Sequence, residues 1–135
     1  MRLILFVLVA VLALAASAAA ASPVRATMTT SSTQPLAGTP WRYTIVVKDR
    51  AGKPLVAKVR LQLLRGARVV GCWKSTAMVR CSGAHEGTWI SFRGKRIGVI
   101  VWPARSAGVK RAFRGTVVAG TQALTLRAPL TVRLP

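Results

Sequence analysis

Carboxylates are almost missing from this chain. Among 135 residues, Asp49 and Glu86 are the only acids, set against 21 Lys and Arg, one His and one Tyr. A hydrolase needs a positioned base and usually a nucleophile or metal beside it. Here Asp49, Glu86, His85 and Tyr43 exhaust the acid–base candidates. Asp49 is accounted for by its turn. His85 and Glu86, between Gly83 and Gly87, are adjacent, but no second carboxylate or third ligand completes a site around them. Ser82 and Ser91 have no base with an orienting acid, and Gly52-Lys53 lacks the spacing and following helix of a phosphate loop. The expectation is a protein without catalytic residues, cofactor or metal.

Cysteine is scarce too. Cys72 and Cys81 are the only pair, and nothing resembles Cys-x-x-Cys. With His85 they would offer three soft ligands and no fourth, so a metal site is the weaker reading. In an oxidising compartment the expected state is one disulfide, Cys72–Cys81. Closing so short a loop stabilises by roughly 2–3 kcal/mol in the chain-entropy model.

The one long apolar run is N-terminal. Arg2 precedes Leu3–Leu14, which leads into a tract of Ala with Ser17. A charged start, an apolar middle and a small-residue end are the layout of a secretory signal peptide. The expected boundary follows Ala21, making 1–21 a signal peptide and 22–135 one secreted domain with no transmembrane anchor after cleavage. An uncleaved anchor is the competing reading, because the run is nearly long enough to span a bilayer. Cleavage removes only Arg2 from the basic residues and leaves a net charge of +18. One reading of that charge is an anionic partner, such as an envelope polymer, lipid head groups or nucleic acid; the other is composition that merely aids solubility.

Period-two alternation organises the rest. Trp41, Tyr43, Ile45 and Val47 share one face of a first strand, and Leu55, Ala57, Val59, Leu61 and Leu63 one face of a second. Between them Asp49, Gly52 and Pro54 supply turn chemistry. Further strands are expected at 23–29, 67–73, 78–81, 88–92, 97–102, 110–119 and 122–134, with a basic turn at 93–96. Pro129 points outward on the last, which suggests an edge or a bulge. Seven to nine short strands with regular turn signals and no helix after residue 21 predict an all-β, antiparallel, immunoglobulin-like sandwich; a small closed barrel is the alternative.

Pro-x-x-Gly-x-Pro-Trp at 35–41, Tyr43 and its strand, Asp49-x-x-Gly-Lys-Pro, the alternation 57–63, Trp102-Pro103, the basic-led strand 110–119 and the terminal hairpin carry a resemblance. Together they resemble secreted actinobacterial proteins of bacterial Ig-like type. The resemblance covers nearly all of 22–135. It implies an envelope or extracellular module and supplies no catalytic residues; the cysteine pair is not part of the shared pattern.

If strands 55–64, 110–119 and 122–134 share a sheet, Lys58, Arg60, Lys110, Arg114, Arg127 and Arg133 share its outer face, a surface able to lie along a polyanion. The same long side chains also cover apolar strand surface. Most aromatics fall on buried faces. Trp89 is the exception, opposite Ile90 and Phe92, and is a candidate exposed contact beside Arg93, Lys95 and Arg96. The expected partner is an anionic envelope polymer, bound without specific nucleic-acid recognition. The alternative is a surface protein engaged by strand addition at 23–29 or 122–134. Oligomeric state is not readable from the sequence.

Overall fold

The computed structural model describes residues 23–135, and the expected signal peptide lies outside the described residues. The alternation read from the sequence becomes nine strands: β1 (Arg25–Thr30), β2 (Pro40–Lys48), β3 (Val56–Arg65), β4 (Arg68–Lys74), β5 (Ala77–Arg80), β6 (Trp89–Arg93), β7 (Lys95–Val101), β8 (Lys110–Ala119) and β9 (Gln122–Thr131). They form a β-sandwich of two antiparallel sheets. One has the order β1-β2-β7; the other runs β5-β4-β3-β8-β9, with β6 also paired to β3. β6 takes residues 56–60 of β3 and β4 takes 62–65, so two short strands share one edge of a long one.

The two successive strands around the 49–54 turn fall in different sheets. The turn itself is as its residues dictate: the Lys53 amide donates to Asp49 Oδ1 at 2.9 Å, and Gly52 adopts φ +83°. Inward residues meet in one core. Trp41, Tyr43, Ile45 and Val47 from β2 face Ala57, Val59, Leu61 and Leu63 from β3 and Phe113 and Val117 from β8, all buried. At its centre Trp41 meets Phe113 edge-on, ring centroids 5.1 Å apart, and Trp102 at 5.5 Å. Edge-to-face pairs of this kind add about 0.5–1.5 kcal/mol beyond the area they bury.

The basic turn expected at 93–96 is not a turn. Lys95 and Arg96 already belong to β7, and Gly94 alone, at φ +71°, carries the chain from one sheet to the other. Its N–H donates to Leu55 O and its carbonyl accepts from Val47 N, both at 2.8 Å. One glycine therefore bonds to the strand of one sheet and the approach to a strand of the other. The expected loop at 104–108 contains a single 3-10 turn, Ala104–Ser106. The last strand ends at Thr131, short of the expected 134. Beyond it Val132 and Arg133 leave β8 and make isolated parallel bridges to Ala107 and Leu36. Pro129 is exposed on β9, at the edge of its sheet.

Gly98 on β7 lies opposite Tyr43, whose ring crosses it: a Cβ there would stand 2.2 Å from the ring. Overpacking a well-filled core costs about 1–3 kcal/mol or more. Gly98→Val is expected to lower the unfolding free energy by that amount, read as a lower urea midpoint with an unchanged slope, and Gly120→Ala, in an open turn at φ +58°, by less.

Candidate anion-binding face

The outer face of the larger sheet is laid out in cross-strand rows. One runs Cys72, Gln62, Arg114, Arg127; the next Trp89, Arg60, Thr116, Thr125; the third Ser91, Lys58, Val118, Ala123. Rows two residues apart along a strand are about 6.6 Å apart. Strands β3, β8 and β9 do share a sheet, so four of the six proposed cations, Lys58, Arg60, Arg114 and Arg127, occupy adjoining positions. Lys110 lies opposite Thr131, four residues along β8 from Arg114 and roughly 13 Å away. Arg133 sits still farther, on the segment that bridges to Leu36. The structure therefore groups four and leaves two at the distant end.

Trp89 belongs to this face. It is 37% exposed, and its ring centroid is 4.8 Å from both Lys58 Nζ and Arg60 Cζ. Its cationic neighbours are thus the side chains of β3; of the neighbours expected from sequence, Arg93 ends β6 four residues along the same face, opposite Val56, and Lys95 and Arg96 lie past the crossing on β7. The reason is register: Trp89 pairs with Arg60, and Gly94 turns the later cations toward the other sheet.

A loop folds over Gln62 at one side of the face. Gln62, an outward-facing residue by its alternation, has no exposed surface. Its Nε2 donates to Ala84 O at 3.0 Å and Glu86 O at 2.8 Å, while Oε1 accepts from Arg114 Nε at 3.1 Å and from Arg114 Nη2. Arg60 Nη1 donates to His85 O at 3.0 Å. The Cys72–Cys81 disulfide, Cα atoms 5.7 Å apart, fixes the start of the loop on the same face, above a small second core of Leu64, Val69 and Ala112. Cys72, Cys81 and Glu86 converge, but both sulfurs are bonded to each other and have no thiolate to offer a metal. Gln62 is the residue that sequence reasoning missed. Its only signal was a polar side chain among cations, and nothing local foretold that residues 82–88 fold onto it.

Both carboxylates are engaged elsewhere. Asp49 holds its own turn, and Glu86 accepts from the Gly83 amide at 2.8 Å and pairs with Lys74 at 3.2 Å, the one ion pair among the described residues. The Gly83 amide, then Lys74 and the Ser82 amide, hold the Glu86 carboxyl below its ordinary value. His85 is exposed and contributes its backbone carbonyl, not its ring, to the face. Burial first, then the like charges of Arg127 and Arg60, push the Arg114 guanidinium below its ordinary value. Arg114 and Arg127 are directly opposite each other, a placement that costs stability unless an anion lies between them. Arg60 Nε is buried with no partner among the described residues.

One open depression lies elsewhere, at the end of the sandwich between Val24, Leu55, Val56 and Gln122. It is open and mostly apolar, and Asp49, its one charged side chain, is committed to the turn. It holds no convergent chemistry. The basic face is the better candidate because it gathers charge that nothing neutralises.

Two outcomes follow. Gln62→Ala removes three anchors at once and is expected to cost about 1–3 kcal/mol, with amides 83–88 exchanging faster than those of the sheets. Because Glu86 has a depressed carboxyl, its hold on the loop is complete above the ordinary carboxylate value of about 4.3 and is lost as pH falls through its lower folded value. The Gly83 amide resonance is expected to titrate in that acidic window, and to stop doing so in Glu86→Gln. No protein-family model matches the chain, and no curated protein or solved structure matches it either.

Proposed function

We propose that this is a secreted, non-catalytic, Ig-like module that binds an anionic polymer of the cell envelope along the outer face of its larger sheet. The observation that carries the reading is the grouping of Lys58, Arg60, Arg114 and Arg127 in adjoining rows with both carboxylates of the chain turned to other tasks. Paired guanidiniums match phosphate or carboxylate oxygens bidentately. The Thr116 and Thr125 hydroxyls stand in the row between, and Trp89 gives a flat apolar surface at one side. The loop 82–88 borders the face and orders Arg60 and Arg114 through Gln62 and His85 O.

Binding of this kind falls steeply with salt as counterions return. The test is retention on isolated cell-wall material and on a polyphosphate column across a salt series. Lys58→Glu with Arg127→Glu, both exposed, is expected to lower affinity at least tenfold and flatten the salt slope by about two. Arg50→Glu with Lys53→Glu in the β2–β3 turn makes the same change in net charge away from the face and is the control. Equal losses in the two variants would overturn the reading and leave only a non-specific charge effect.

A further inference from the structure

The free edges of the two sheets are unlike one another. β5 and β6 are only four and five residues long. β9 carries the exposed Pro129, and its start is tied to β1, with the Val24 amide donating to Gln122 Oε1 at 2.8 Å. Short strands, proline and mutual cover are the ordinary protections against edge-to-edge pairing. β7 has none of these, and its charges, Lys95 and Arg96, are confined to its start. It runs seven residues, Lys95–Val101, in unbroken register with β2, and lies at the edge of its sheet. Its outward side chains Ile97, Val99 and Val101 are 57%, 48% and 54% exposed, so an apolar stripe of β-branched residues borders an unpaired backbone.

We propose that β7 pairs antiparallel with β7 of a second copy, about a two-fold axis at Gly98, to make one continuous six-stranded sheet. Three observations select a second copy over a foreign strand. Gly98 is the midpoint of β7, so a two-fold there aligns the full strand, Ile97 against Val99 and Lys95 against Val101. Outward residues then meet outward residues, apolar beside apolar, and each Lys95 stem lies over the other copy's Val101. Charge is also placed tolerably: the two Lys95 residues stand roughly 20 Å apart, and Arg42, beside Val99 on β2, is roughly 14 Å or more from its copy. Those separations exceed the Debye length of about 8 Å at physiological salt. Arg96 is drawn back along its own sheet, with Nε 3.4 Å from Tyr43 Oη. Finally, no side chain occupies the axis, because Gly98 has none and Tyr43 covers it from the core side.

The overall cationic excess opposes association, so salt should promote pairing, the reverse of its effect on the basic face. The experiment is sedimentation velocity on the purified protein, expressed from the full chain, from about 0.02 M to about 0.5 M salt. A monomer at low salt passing to a dimer at high salt is expected, with at least a tenfold weaker dimer in Ile97→Lys and Val99→Lys. Both side chains are solvent-exposed, so an unchanged denaturation midpoint will show that those variants are folded. A monomer at every salt concentration would overturn the proposal. So would a dimer that survives the Ile97→Lys/Val99→Lys double variant, or one abolished instead by Lys58→Glu with Arg127→Glu. Capture of an acidic peptide strand at β7 by a protein that never dimerises would assign the edge to a foreign partner and equally overturn self-pairing.

Discussion

With twenty-one basic side chains and two acids, attraction between charges can hold almost nothing together here, and every other feature is arranged around that shortage. Each carboxylate instead steadies a bend in the backbone, Asp49 at the β2–β3 turn and Glu86 at the base of the outer loop. Cohesion rests on the two strand ladders and on the aromatic cluster of Trp41, Tyr43, Trp102 and Phe113. Most of the cations stand on outer faces, where their stems shield apolar strand surface, while Arg60 and Arg111 each keep a buried Nε. Repulsion is then concentrated where strands bring like charges opposite one another, as at Arg114 and Arg127.

The two interactions proposed for the basic face and the β7 edge respond to ionic strength with opposite signs. Screening weakens a contact between cations and a polyanion, and it relaxes the repulsion between two cationic copies. A polyanion bound as proposed would neutralise charge locally and so lower the electrostatic barrier to the proposed pairing of β7. The two surfaces lie on different sheets and do not compete for residues.

Much of the sandwich was legible because burial on one face of a strand imposes a period of two, and that period survives in Trp41–Val47, Val56–Leu61 and Lys110–Ala119. The Gly94 crossing was not, since a glycine between cations marks a reversal and a change of sheet alike; only the partners of its N–H and carbonyl separate them. The grouping of Lys58, Arg60, Arg114 and Arg127 could be inferred once three strands were assumed to be neighbours. The burial of Gln62 could not, because the atoms that cover it come from an aperiodic segment more than twenty residues away. Trp89 was placed on the correct side of its strand, yet its neighbours depend on register with β3, which alternation alone does not set.

The two flanks of the described residues meet. Ala37 and Arg133 share a backbone hydrogen bond, as do Arg133 and Pro35, and Thr131 and Thr33; Val24 bonds to Gln122, 98 positions away. Contacts of such span form late, after the loop they close has been ordered. β1 and β2 precede β7 by about fifty residues and the closing segment at 131–133 by more than eighty. Residues about a hundred positions apart thus share one rim of the sandwich, so the two flanks stand or fall together.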